Sequence, residues 1–167
     1  QLISLANKHP RVKILNPGCG VGGHCISVDP WFIVDSSNGK AQLIEQARRT
    51  NDYKADWVLE KIKNALLQFE IKHKKKPTVT CMGLSFKPNI SDLRQSPALY
   101  IAKKLNEFIS ISSVEPNIRE CIGLNLVDIK TGLASDICIY LVNHKEFSTK
   151  NMKETDLDFC GINNCIS

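Results

Sequence analysis

Cys25 is the residue in this chain whose type and surroundings are best suited to chemistry. Four glycines, Gly18, Gly20, Gly22 and Gly23, precede it within NPGCGVGGHCISVDPWFI (16–33), and Asp29 follows four positions later. Glycine lets the backbone bend and lets a ligand approach closely. A glycine bend also presents backbone N–H groups, which with nearby cations lower a thiol pKa from about 8.5 and yield a nucleophilic thiolate. Beside such a thiolate, Asp29 is a candidate general base for water. Both residues have an ordinary reading as well. Unpaired cysteine is commonly a small buried core residue, and aspartate before proline commonly forms a turn. His24 neighbours the thiol, but adjacent residues in extended chain point to opposite sides, so it is read as shaping the loop.

A second group lies in GLSFKPNISDLR (83–94), where Phe86, Lys87, Pro88, Asp92 and Arg94 follow a short apolar run. It reads either as a charged surface loop or as an anion site, arginine offering a planar fork to phosphate and lysine a point charge. Cys81, Cys121, Cys138 and Cys160 fall in or near apolar runs and read as structural. The seven cysteines are odd in number and scattered, without CxxC, so neither a disulfide framework nor a metal site is expected. Gly18, Gly20 and Gly23 match a dinucleotide fingerprint in spacing alone. A phosphate loop needs a helix opening at the third glycine, and CISVDP follows instead.

The elements that must position these residues change character along the chain. Residues 2–9 read as helix ending at Pro10, residues 11–15 as a short strand feeding the glycine bend, and residues 26–34 as extended or irregular because of Pro30. Residues 36–39 supply turn chemistry. Leu43, Ile44, Ala47, Trp57, Val58, Ile62, Ala65, Leu66 and Phe69 recur at helical spacing, with a break expected near residues 50–52. KHKKKP (72–77) ends that pattern and reads as a linker, placing a domain boundary there. Strands are then expected at 78–82, 109–114, 124–127, 136–142 and 157–160, with a helix over 96–108 whose first turn suits Pro97. This alternation implies a small parallel sheet with helical crossovers, whose ligands sit at the carboxyl ends of the strands.

At 167 residues and 43% hydrophobic, the chain is long enough for one domain or two small ones. No apolar run is long enough to span a bilayer, and the first residues lack the order of a signal peptide, so the expectation is a cytoplasmic protein in a reducing compartment with no membrane partner. The formal charge of +5 owes much to the lysine cluster, and without interleaved aromatics it is no nucleic-acid signature. Gln1 is not an initiator, and the chain reads as a piece of something longer.

GVGGHCISVDPWFI (20–33) resembles the catalytic loop of the UDP-glucose/GDP-mannose dehydrogenase family, the nucleotide-sugar 6-dehydrogenases. CMGLSFKPNISDLRQSPA (81–98) is similar to the first motif of their C-terminal domain, and DICIYLVNHKEF (136–147) and LDFCG (157–161) fit their last strands. The resemblance implies an α/β fold: residues 1–76 as the helical end of a central dimerisation domain, and residues 77–167 as a small Rossmann-like, parallel-sheet UDP-binding domain. The family's N-terminal NAD-binding domain, with an active-site lysine and asparagine upstream of the cysteine loop, is not in these residues, so the chain alone is expected to be inactive.

By the same resemblance the reaction is a four-electron oxidation of a sugar C6 alcohol to a carboxylate with two NAD+. Cys25 would carry the thiohemiacetal and thioester, and Asp29 would help activate the hydrolytic water. Asn16, Pro17, Gly18, Gly20, Val21 and Gly22 would contact the substrate together with Phe86 and Lys87. Arg94 would meet the NAD phosphates and Val28 would lie near the nicotinamide. UDP-glucose enzymes carry serine before the cysteine and lysine before the aspartate. His24 and Val28 stand there in this chain, which implies a UDP-N-acetylhexosamine substrate, and DPWF (29–32) with KPN (87–89) favours UDP-N-acetyl-D-mannosamine over its gluco epimer. Arg11 is similar in place, though not in spacing, to an arginine that family members reach into the neighbouring subunit of a homodimer. Such enzymes commonly supply uronic acids for envelope polysaccharides. The competing readings are a non-catalytic nucleotide-sugar-binding or dimerisation module, and a thiol hydrolase, which needs a histidine base held near Cys25.

Overall fold

Helices occupy the N-terminal part of the chain and strands the C-terminal part in the computed structural model, which describes residues 2–11, 16–147 and 152–162. The first elements are α1 (Leu2–Ala6), α2 (Asp29–Ser36) and α3 (Gln42–His73). The expected strand over 11–15 lies outside the described residues except for Arg11, an exposed turn residue.

Two expectations in this part are corrected. Residues 29–36 are helical, because Pro30 falls in the first turn of α2, where a missing N–H leaves no hydrogen bond unmade. There is also no break near residues 50–52: α3 runs unbroken for 32 residues, about 48 Å at the usual rise. Ala55, Val58, Leu59, Ile62 and Phe69 recur along it at spacings of three, four and seven and are all buried. The helix ends at Lys74, whose N–H still reaches the Glu70 carbonyl at 2.9 Å and whose left-handed φ of 55° turns the chain out of the helix. Lys72 and His73 place positive or ionisable groups in the last turn, where the helix dipole favours them.

Among the described residues five parallel strands follow: β1 (Val79–Met82), β2 (Ser112–Val114), β3 (Asn125–Leu126), β4 (Ile137–Tyr140) and β5 (Leu157–Asp158). Between them lie α4 (Pro97–Asn106) and the short α5 (Ile129–Leu133), the latter not anticipated from its brief, glycine-containing sequence. Ser96 caps α4 by accepting the Leu99 N–H at 3.2 Å. The strand order is β3-β2-β1-β4-β5. The chain therefore leaves β1 in one direction and returns on its other side, making the β1/β4 edge the switch point where ligands of such sheets bind.

Each central strand alternates between two cores. Val79 and Cys81, with Ile137 and Ile139, face the layer built by α3 and α4. Met82, Cys138 and Tyr140 face Phe147 and Ile162 on the other side, where α5 closes over Val114. A Cβ at Gly132 in α5 would come within 2.5 Å of Val114 Cγ2, so glycine is what allows that close approach. The α3/α4 core is continuous from Ala55 to Val142, running past the lysine run at 72–76 on both sides.

Candidate active site

Two partners distant in sequence shape the glycine loop. The Asn51 side chain, in the first third of α3, accepts the Val21 N–H at 2.7 Å and donates to the Val21 carbonyl at 3.1 Å. The Gly23 N–H donates to the Arg94 carbonyl at 3.1 Å. These contacts press the loop onto the second motif so closely that a Cβ at Gly22 would lie 2.2 Å from the Gln95 carbonyl oxygen. Gly23 has a left-handed φ of 94°, and a Cβ there would meet the Phe86 ring at 2.9 Å. Gly18 differs, since nothing lies within 4 Å of the corresponding position. The loop is no dinucleotide fingerprint, because the next helix opens only at Asp29.

Past the glycines the chain coils tightly into α2. The Cys25 carbonyl accepts the N–H groups of Val28 and Asp29 at 3.0 and 2.8 Å, and the Ser27 hydroxyl donates to the Gly23 carbonyl. Among the described residues Cys25 is the one exposed cysteine. Burial pushes the thiols of Cys19, Cys81 and Cys138 up to about 12, and that of Cys160 higher still, which leaves them un-ionised. Asp29 is exposed at the first position of α2.

Arg94 lies close to Cys25. Its guanidinium forks onto Asp92, with Nη2 to Oδ2 at 2.6 Å and Nε within 3.0 Å of both oxygens. Those hydrogen bonds, aided by the guanidinium charge, hold the Asp92 carboxyl at about 2. Arg94 is therefore oriented while remaining exposed. His24, also exposed, sits close enough to Asp92 to act on it electrostatically.

Residues 16–22 form one wall of a cleft of about 630 Å³, and Ser85, Phe86, Lys87 and Pro88 contribute to the other. Leu141 and Val142, just past β4, line it from the switch point. The sequence-derived substrate residues Asn16, Pro17, Gly18, Gly20, Val21, Gly22, Phe86 and Lys87 thus share one cavity. Ile26 lines it too, with Cys25 adjacent in the chain. Val28 lies elsewhere, on a separate cavity of about 490 Å³ between α2, α3 and α4 that also includes Arg48 and Tyr100.

Three residues that hold these loops are not legible in the sequence: Asn51, Glu115 and His144. Asn51 falls where the sequence predicts a helix break, and its side chain is instead the helix's tie to Val21. Glu115, just past β2, and His144, just past β4, are not marked as partners by their sequence neighbours. The structure pairs them at 3.1 Å with both side chains fully buried. His144 is occupied by that network, and His73 stacks on Phe69 about 33 Å along α3 from Asn51. Neither serves Cys25 as a base. Among the described residues no group of three or more His, Cys, Asp or Glu side chains is arranged to hold a metal, and no helix is long and apolar enough to cross a membrane.

Known proteins match this arrangement over most of its length. The profile of the UDP-glucose/GDP-mannose dehydrogenase family, central domain, matches residues 1–53, and that of the family's UDP binding domain matches residues 80–159. A UDP-N-acetyl-D-mannosamine dehydrogenase of Campylobacter jejuni is 48% identical over 157 residues, covering 88% of this chain and 37% of that protein. An NDP-N-acetyl-D-galactosaminuronic acid dehydrogenase of Ralstonia nicotianae is 46% identical over 154 residues, covering 88% and 35%. The solved structure of a UDP-D-ManNAc dehydrogenase from Pyrococcus horikoshii superposes with a TM-score of 0.70 at 30% identity, covering 90% of this chain and 35% of that one. The chain thus spans little more than a third of the length of these relatives. With its glycine–cysteine loop inside the central-domain match and most of its parallel sheet inside the UDP-binding match, the chain belongs to the UDP-glucose/GDP-mannose dehydrogenase family.

Proposed function

We propose that this chain is part of an NAD-dependent enzyme that oxidises the C6 alcohol of a UDP-N-acetylhexosamine to the carboxylate. The observation that carries the reading is the convergence of residues 16–22 with Phe86 and Lys87 on one cleft, which is also lined by Ile26, the chain neighbour of the exposed Cys25. Lys87 brings a positive charge suited to a diphosphate, Phe86 an apolar face for the rest of the ligand, and the open space at Gly18 room for the sugar.

NAD+, when bound, supplies the hydride acceptor for both oxidations. The Cys25 sulfur bonds to the aldehyde carbon while the carbonyl oxygen takes up a proton, and the resulting thiohemiacetal retains the carbon between the two oxidations. In the last step Asp29 takes a proton from the water that attacks the thioester carbon, and the Cys25 thiolate leaves. Arg94, exposed and oriented by Asp92, fits a cofactor phosphate. Val28 is assigned to the nicotinamide side by the family resemblance alone, since it lines the cavity between α2, α3 and α4 and not the substrate cleft. The glycine loop does not have the form of a dinucleotide site, so the cofactor fold is assigned to a segment beyond residues 1–167. Residues 1–76 then belong to the central domain and 77–167 to the UDP-binding domain. The same reading makes the enzyme a cytoplasmic homodimer, in keeping with the exposure of Phe32, Ile33, Leu43 and Tyr53 on α2 and the first half of α3.

His24 and Val28 favour an N-acetylated hexosamine, and DPWF (29–32) with KPN (87–89) favours its manno epimer. A galacto-configured substrate is the second reading, because a relative named for that sugar is 46% identical. Isothermal titration of the chain with the manno, gluco and galacto forms of UDP-N-acetylhexosamine tests both. Tightest binding of the manno form is expected, preference for another epimer overturns the epimer choice, and binding of none overturns the nucleotide-sugar reading. NADH production by the whole dehydrogenase that remains unchanged on Cys25→Ala would refute the thiol's role.

A further inference from the structure

The carboxyl ends of three strands meet around the buried pair already noted. Leu84 and Ser85 follow β1, Glu115 follows β2, and His144 follows β4. Glu115 Oε2 accepts the N–H groups of Leu84 and Ser85 at 2.8 and 3.0 Å and lies 3.1 Å from His144 Nε2. Oε1 accepts from the Asn117 backbone and side chain at 3.2 and 3.3 Å. On the other edge of the imidazole, Nδ1 accepts the Asn89 N–H at 2.9 Å, with the Asn117 amide nitrogen 3.3 Å away. A backbone N–H can only donate, so Nδ1 carries no proton and Nε2 donates to the carboxylate.

This chemistry has a consequence for the cleft. Ser85 Oγ, 3.2 Å from His144 Nε2, donates to the Lys87 carbonyl at 2.9 Å. The loop is thereby gripped at residues 84, 85, 87 and 89, bracketing Phe86 and Lys87. Asn89 holds a left-handed φ of 62°, and its side chain accepts the Lys145 N–H at 2.9 Å, which ties the loop to the segment after β4. A carboxylate and an imidazole with no exposure are costly for a fold to retain unless every partner is in place. Here those partners are the backbone of one ligand-lining loop.

We propose that Glu115 and His144 are positioning residues for the nucleotide: a buried carboxylate–imidazole pair that holds the 84–89 loop so that Phe86 and Lys87 present to the cleft. The proposal rests on the nucleotide-sugar reading of that cleft. Among the described residues neither side chain hydrogen-bonds to the cysteine loop or to Arg94, and Phe86 and Lys87, which they position, line the cleft, so the effect is read on affinity for the UDP part of the ligand.

Isothermal titration of the 167-residue chain with UDP tests it, comparing wild type with Glu115→Gln. The variant keeps the shape but places an NH2 or a weaker acceptor among donors, and about a tenfold rise in Kd is expected while circular dichroism stays native. Wild type that binds UDP, with a folded variant matching its affinity within twofold, overturns the positioning role alone. Wild type that takes up no UDP overturns the nucleotide reading, and this proposal with it. If Glu115→Gln does not fold, His144→Gln carries the same comparison. Nitrogen NMR of the wild-type chain gives a readout free of any variant: an Nε2–H tautomer whose Nδ1 resonance moves on adding UDP supports the proposal, and a resonance indifferent to bound UDP, or an Nδ1–H tautomer, overturns it.

Discussion

The side-chain amide of Asn51 meets the backbone of Val21 twice, accepting its N–H at 2.7 Å and donating to its carbonyl at 3.1 Å. A residue on the long helix thereby fixes the middle of the glycine loop 30 positions earlier. Asn51→Ala removes both partners and leaves a partly buried peptide unit unsatisfied. A loss of about 1–2 kcal/mol is expected from urea denaturation of wild type and variant, and an unchanged midpoint at equal slope would count against the coupling.

Gly22 and Gly18 should respond oppositely to alanine. At Gly22 a Cβ would lie 2.2 Å from the Gln95 carbonyl oxygen and 2.8 Å from Pro97 Cδ, so Gly22→Ala is expected to destabilise by about 1–3 kcal/mol. At Gly18 the space is open, so Gly18→Ala should leave stability within about 0.5 kcal/mol. Its methyl enters the cleft, however, and UDP-sugar affinity should fall. Thermal unfolding and ligand titration on the two variants separate the effects.

Thiol reactivity should single out Cys25. It is exposed, whereas Cys19, Cys81 and Cys138 are buried and their thiols pushed up to about 12. Brief alkylation of the native chain with iodoacetamide, followed by peptide mass spectrometry, should modify Cys25 well before those three. Equal labelling of a buried cysteine would contradict the packing described above.

The Glu115 carboxyl is held at about 2 against an ordinary 4.5. Burial by itself would raise it, but hydrogen bonds from His144 and from backbone N–H groups, including that of Leu84, outweigh that effect. The unfolded chain therefore binds this proton more readily than the folded one. The stabilisation is complete above 4.5 and is lost as pH falls from there toward 2, by a total on the order of 3 kcal/mol. Glu115→Gln should flatten this acid limb, which denaturation at a series of pH values would reveal.

Local rules were enough to find the strands. The run at 136–142 is apolar throughout and β4 lies within it with every residue buried. Ser96 and Pro97 marked the start of α4 because cap chemistry acts within one turn. The errors arose where a residue answered to a distant partner or where the register of a turn decided the outcome. Asn51 looked like a break because Val21 is not its neighbour in sequence. Pro30 looked like a breaker because its tolerance depends on falling in a first turn, and the sequence does not say where that turn begins.

The sequence by itself determined which residues could carry chemistry, the thiol of Cys25 and the polar loop around Phe86 and Lys87, and the sheet that ends beside them. Residue type and short-range periodicity are enough for that. Only the tertiary structure decided that residues 16–22 and 86–87 face one cleft, that Val28 borders another, and that Glu115 and His144 are sealed together beneath the loop. Those relationships depend on strand order and close packing, which bring together side chains 29 or more positions apart that no local pattern links.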